Sequence, residues 1–331
     1  MCNVLSSVVG VLHPQWYRLA FCAIFAALLS LLTFGQVRAA AASVTGPDVS
    51  SASPSASDLV HCQLLIDRAD LKPGDSFYAA VKLTIAPGWH IYWKNPGDAG
   101  IPTTVDWVLP AGYRAEPLLY PAPTRFDSTG DITTFGYENQ VMLLAHIVPA
   151  QADGQSPPPL AGMPFGAKLR WLVCKEQCIP GQATLSIDLP AAGGASDSPI
   201  VDADQIQRWL AKVPQDQDKQ HVASIQQTVT PHAVHARSFK QAEVVLVVTW
   251  TVPQPADRPQ SIDFFAVPGD SLSLSKLRII DYGLQTWISF HAETLAGATL
   301  DAPSFEGVVT YTTTSTPRQA VKVQIRLAGE Q

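Results

Sequence analysis

Charge is sparse in this chain. Only 15% of its residues are Asp, Glu, Lys or Arg, and they leave a net charge of −6. No basic cluster with interleaved aromatics occurs, so electrostatics offers no ground for nucleic acid or an anionic membrane surface as partner. Cysteine is scarcer still: of five, only Cys62, Cys174 and Cys178 lie beyond the N-terminal apolar stretch. Past Phe34 no apolar run approaches the ~20 residues of a membrane-spanning helix, and Val244 to Val248 is at most a buried strand. From Leu59 to Leu189 useful helical periodicity is missing as well. What remains is 47% apolar residues and 27 prolines in 331 positions, a globular, turn-rich composition with length for two cores.

The first residues read as an export signal. Arg18 and His13 precede the apolar run Leu19 to Phe34, and small residues follow at Val37, Ala39, Ala40 and Ala41, where cleavage could fall. A retained anchor is the alternative, but the run is short for one. Residues 1–41 are therefore expected to be a signal peptide and 42–57 a flexible Ser/Ala/Pro/Gly leader. The mature protein would reside in the periplasm, where two close cysteines form a disulfide–dithiol couple by default.

Strand-like runs punctuated by Pro73-Gly74, Pro87-Gly88, Pro96-Gly97 and Pro110-Ala111-Gly112 occupy residues 58–190. A linker over 191–216 carries one helix. Asp202 is its N-cap, Ile206, Trp209, Leu210 and Val213 recur at helical spacing, and Pro214 stops it. That helix is expected to pack between the domains. Strand candidates then return at Glu243–Val252, Ile262–Val267, Leu284–Phe290, Val308–Thr314 and Ala320–Leu327, giving a second β-domain over 217–331. The fold class is thus all-β: two immunoglobulin-like sandwiches joined by a short helix-containing linker. The second half has no cysteine and no catalytic constellation; His232 and His235 lack partners and read as surface residues.

Chemistry concentrates at Cys174-Lys175-Glu176-Gln177-Cys178, between two strand-like runs. A three-residue hairpin loop places the cysteines opposite each other, within disulfide reach. Closing so small a ring stabilises by only about 2 kcal/mol, against about 3 for a 15-residue loop. A weakly stabilising bond at a hairpin tip suits exchange better than stapling. A structural disulfide remains the alternative, and Lys175 and Glu176 oppose each other in tuning a thiol.

Two further features surround the pair. In Trp89-His90-Ile91-Tyr92-Trp93-Lys94 the strand period puts Trp89, Ile91 and Trp93 on a core face and leaves His90 and Tyr92 free to line a site. Cys62, within an apolar strand, reads as a small buried hydrophobe. Its alternative is a soft-metal site for Cu(I) with Cys174 and Cys178, or with His61, Met142, His146 or Met163, although the spacing matches no metal motif.

Taken together, Gly88 to Gly100, Thr134-Phe135-Gly136-Tyr137-Glu138 and Trp171 to Pro180 resemble one family. It is the N-terminal periplasmic domain of the thiol:disulfide interchange protein DsbD, in the branch close to the copper-sensitivity suppressor protein ScsB. Phe264 to Asp270 is similar to the second β-domain of that branch. The resemblance implies a cofactor-free module in which Cys178 makes the intermolecular disulfide and Cys174 resolves it. It implies a cap loop at Phe135-Gly136-Tyr137, with Phe135 as the lid. The implied partners are thioredoxin-like periplasmic proteins and a separate membrane electron-transfer protein, with disulfide isomerisation, cytochrome c maturation or copper stress downstream. No small-molecule substrate is expected. DsbD itself spaces its cysteines more widely, and Ile132-Thr133 stand where its acidic residues flank the cap aromatic. The transmembrane and thioredoxin-like domains of DsbD are not expected here. Rival readings are a copper-binding or copper-tolerance protein and a non-catalytic interaction module with a permanent bridge.

Overall fold

The computed structural model describes residues 54–130, 132–150, 160, 163–189, 201–216, 221–235, 238–269, 272–295 and 304–327, the side chains of 231–240 aside. The expected signal peptide, most of the leader, Asp131 and the side chains of His232 and His235 lie outside the described residues.

After a one-turn helix α1 (Ala56–Leu59), capped by Ser55, come ten strands. They are β1 (Val60–Ile66), β2 (Phe77–Ile85), β3 (His90–Gly97), β4 (Thr104–Val108) and β5 (Tyr113–Ala115). The series continues with β6 (Thr124–Ser128), β7 (Ile132–Glu138), β8 (Gln140–Pro149), β9 (Pro164–Cys174) and β10 (Cys178–Asp188). They build a four-stranded sheet, β1-β2-β8-β5, and a six-stranded sheet, β10-β9-β3-β7-β6 with β4 also on β9. Every pairing is antiparallel. Pro73-Gly74, Pro87-Gly88 and Ala111-Gly112 form turns as expected.

The sandwich follows from strand parity. Phe165, Ala167, Leu169, Trp171 and Val173 alternate into the core from β9, and Ile91 and Trp93 enter it fully buried from β3. They meet Val81, Leu83, Val141, Leu143 and Ala145 from the facing sheet.

Helix α2 (Ala203–Leu210) has the expected N-cap, Asp202 accepting from the Gln205 amide at 2.9 Å. Its packing differs from expectation. Ile206 and Val213 bury against Leu65, Ala80, Met142 and Leu144, so α2 covers the outer face of the four-stranded sheet instead of lying between the sandwiches. An apolar helix face says that it will be buried, not against which surface. The residues after it reach the second sandwich, where Gln215 bonds along the last strand through Ala320 and Lys322.

The second sandwich comprises β11 (Val222–His235), β12 (Ser238–Trp250), β13 (Gln260–Val267), β14 (Leu272–Asp281), β15 (Gln285–Thr294), β16 (Ser304–Thr312) and β17 (Gln319–Arg326). Its sheets are β11-β12-β15-β14 and β13-β16-β17. Strands β11 and β14 were not foreseen. Each is an edge strand with many polar positions, where the apolar alternation fades.

The two sandwiches share core. Phe265 and Val308 join the hydrophobic cluster of the first, and the Phe265 ring meets Trp93 edge-on at 6.2 Å and Phe135 at 5.1 Å. Polar ties flank these rings. Lys94 pairs with Glu306 at 2.5 Å, and the Asn95 side-chain amide donates to the Ala266 carbonyl at 2.6 Å.

Candidate functional site

Cys174 ends β9, Cys178 begins β10, and the two are register partners at the hairpin mouth, with Cα atoms 4.2 Å apart and a disulfide between them. Parity decides which way they point. Val173 is a core residue, so Cys174 faces outward from the six-stranded sheet, and the hairpin partner Cys178 shares that face. The sulfurs are not equivalent. Cys174 is 2% exposed, whereas Cys178 belongs to the exposed class.

Cys174 has a second neighbour in register, His90 of β3. The expected split of β3 is observed: Ile91 and Trp93 go inward, and His90 and Tyr92 stand on the disulfide face. The Tyr92 hydroxyl lies 3.9 Å from Cys178 Sγ. The rings of His90 and Tyr92 meet edge-on at 5.3 Å. Burial pushes the Tyr92 hydroxyl up, so it stays a neutral donor. Burial also pulls His90 down, against the attraction of Glu138, and its Nε2 is enclosed with no hydrogen-bond partner among the described residues. A neutral imidazole therefore borders the pair.

Two segments roof this face. The loop after β3 lies across Tyr92: the Thr103 amide donates to the Tyr92 carbonyl at 3.3 Å, and a Cβ at Gly100 would stand 2.3 Å from the Tyr92 ring. The β6–β7 hairpin supplies the other part. Phe126 of β6 stacks on His90 with centroids 4.7 Å apart and planes 18° from parallel. Asp98 ties loop to hairpin, accepting from the Thr133 amide at 2.8 Å and donating to the Thr133 carbonyl at 2.9 Å.

Phe135 and Tyr137 are placed elsewhere. They lie on the inward face of β7, Tyr137 buried with its hydroxyl donating to the Pro121 carbonyl at 2.8 Å. Phe135 packs on Phe265 of the second sandwich and under the Arg125 guanidinium, 5.7 Å from its centroid. Among the described residues its ring contacts are at that seam, and the aromatic over the redox face is Phe126. Sequence reasoning passed over Phe126 because Thr124-Arg125-Phe126-Asp127-Ser128 is mostly polar. The available signal was its parity relative to the Gly130 turn.

Lys175 lies along the Pro87-Gly88 turn, where a Cβ on Gly88 would sit 3.6 Å from its Nζ. Cys62 belongs to the other sheet, packed against the first core, and burial raises its thiol to about 11. Met142 is buried beneath α2, and His146 stacks on Tyr78 and bonds Glu116 at 3.3 Å. Among the described residues no group of three His, Cys, Asp or Glu side chains gathers to hold a metal. A cleft of about 760 Å³ lies not at the disulfide but at the seam, lined in part by Asn95, Asp98, Arg125, Thr133, Phe135 and Phe264.

Residues 64–190 match the family model described as thiol:disulfide interchange protein DsbD, N-terminal. No curated protein sequence is similar to the chain. Among solved structures, the N-terminal periplasmic domain of ScsB from Proteus mirabilis aligns at a TM-score of 0.56 and 18% identity, covering 81% of this chain and 94% of that one. It shares the fold. The reduced N-terminal domain of Neisseria meningitidis DsbD aligns at 14% identity over 41% of this chain and 89% of that one, with a TM-score of 0.26. Residues 64–190 therefore belong to the DsbD N-terminal domain family.

Proposed function

We propose that the chain is a periplasmic thiol–disulfide exchange module whose Cys174–Cys178 couple carries reducing equivalents from a membrane electron-transfer protein to thioredoxin-like proteins. The observation that carries this reading is the asymmetry of the pair: one sulfur exposed at a hairpin mouth, its partner buried behind it. The family match supports the exchange chemistry. The periplasmic setting rests on the export-like N-terminus and on the description of the ScsB domain.

In the reduced module the Cys178 thiolate attacks one sulfur of a partner disulfide. The partner's other sulfur leaves as a thiolate, and a Cys178–partner bond forms. Cys174 then attacks Cys178 Sγ, the partner's second sulfur leaves, and the intramolecular disulfide is restored. Two electrons pass to the partner, which takes up two protons as its thiolates are protonated. A dithiol on the electron-donating protein reverses the sequence and reloads the couple. Tyr92, 3.9 Å from Cys178 Sγ, is placed to hydrogen-bond its thiolate, and His90, the register partner of Cys174, carries Phe126 stacked on it.

The test is capture of partners in cells by the Cys174→Ala variant, which forms the mixed disulfide but cannot resolve it. A covalent adduct to a thioredoxin-like protein that vanishes in Cys174→Ala/Cys178→Ala is expected. Trapping by Cys178→Ala but not by Cys174→Ala would reverse the assigned roles, equal trapping would contradict distinct roles, and no adduct in either single variant would contradict exchange.

A further inference from the structure

Strand β6 has two faces with different attachments. Phe126 looks onto His90 beside the disulfide. Its neighbour Arg125 points the other way, across the seam, where Nη2 lies 2.8 Å and Nε 3.1 and 3.2 Å from the Asp263 carboxylate of β13. Both partners are partly buried, with side chains 25% and 22% exposed. Burial lowers the Arg125 guanidinium, but the hydrogen bonds and charge of Asp263, joined by the charges of Asp127 and Asp98, leave it raised.

The second sandwich is shaped to make this contact. The β13–β16 ladder carries a bulge between Gln260 and Asp263, with Ser261 at φ 47°. A bulge of this kind re-aims a side chain. Asp263 is then held by the Phe264 amide, which donates to Oδ1 at 2.8 Å while the same oxygen accepts from Arg125. Strand β6, by contrast, is weakly supported. It is the edge of its sheet, with β7 its one paired strand among the described residues, and beside it lies the cleft lined by Arg125, Thr133 and Phe135. Beside that cleft the Arg125–Asp263 pair ties β6 to β13 as a strut.

We propose that the second sandwich governs access to the redox pair: Asp263, acting through Arg125, is a positioning residue that holds β6 and keeps Phe126 over His90. The inference rests on the exchange reading of the cysteines and gives the cysteine-free half of the chain a part in it. Loss of the strut frees one edge strand and uncovers His90 and, paired with it in register, the buried Cys174, while Cys178 is exposed already.

The experiment measures the rate at which dithiothreitol reduces the disulfide in the full chain, by quenched thiol trapping, with thermal unfolding of each variant confirming a folded protein. Phe126→Ala removes the covering ring and is expected to speed reduction about tenfold, a barrier change of about 1.4 kcal/mol. Asp263→Asn is expected to approach that rate, and Asp263→Asn/Phe126→Ala to be no faster than Phe126→Ala, since both act through one ring. Glu306→Gln, which breaks the Lys94–Glu306 ion pair elsewhere along the seam, should stay within twofold of the parent.

Asp263→Asn within twofold of the parent, while Phe126→Ala is fast, would overturn the coupling and leave the exchange site standing. Equal acceleration by Glu306→Gln would overturn it too, as general loosening of the seam. No acceleration by Phe126→Ala would remove the cover itself. A disulfide that resists dithiothreitol in every variant would instead overturn the exchange reading.

Discussion

Gly100 offers a way to disturb the redox face without touching a cysteine. Its φ is +111°, a conformation that side chains rarely adopt, and an added Cβ would stand 2.3 Å from Tyr92 Cε1. Gly100→Ala therefore incurs two costs. Holding a non-glycine residue in that backbone region costs about 1–3 kcal/mol. Forcing a methyl group into an occupied site costs about 1–3 kcal/mol more, because Tyr92 is buried and can move only by displacing its neighbours. Gly130 supplies the control. Its φ is +84°, but nothing lies within 4 Å of a Cβ placed there, so Gly130→Ala meets the backbone cost alone. Urea denaturation of both variants and the parent separates the two costs. The expected order is parent, then Gly130→Ala, then Gly100→Ala, with about 1–3 kcal/mol between the last two. Tyr92 displacement should also speed reduction of the disulfide in Gly100→Ala relative to Gly130→Ala. Equal stability of the two alanine variants would refute the claim that the loop after β3 pins Tyr92 beside Cys178.

Other outcomes follow from particular residues. Ile206 of α2 is fully buried against the four-stranded sheet, so Ile206→Ala should lose about 2–5 kcal/mol in urea denaturation; a loss under about 1 would mean that the helix is not seated on the sheet. His90 is held below its ordinary value by burial, so as pH falls below about 6.5 the unfolded chain takes a proton that the folded chain refuses, and stability drops. His90→Gln should flatten this part of the loss between pH 7 and 5, and an unchanged slope would contradict a buried neutral ring. With its thiol raised to about 11, Cys62 is about one-thousandth thiolate at pH 8. Iodoacetamide mapping of the reduced protein should find Cys178 modified long before Cys62, and equal rates would contradict the burial of Cys62.

The hairpin bearing the cysteines was legible because everything that specifies it is local: two apolar runs, three intervening residues, one register. The same holds for the inward turn of Ile91 and Trp93 and for the Asp202 cap of α2. Contacts between distant segments were less accessible. Resemblance drew attention to Phe135, but a motif conveys residue type, and the face a residue presents depends on strand parity and on what packs against it. Phe135 falls on the side of Phe265, and Phe126, in an unremarkable polar run, falls on the side of His90. The tie from Asp263 to Arg125 spans residues 138 apart in sequence and depends on a bulge in another sandwich, which no local pattern announces.

The central claim is that Cys174–Cys178 is a working redox couple and not a staple. Its midpoint potential, read by thiol trapping in glutathione buffers of graded ratio, tests this most directly. A small ring with an exposed sulfur predicts a measurable dithiol–disulfide equilibrium, at a potential above about −300 mV. A value well below about −300 mV, with the pair oxidised in every buffer, would mark a structural disulfide and contradict the account.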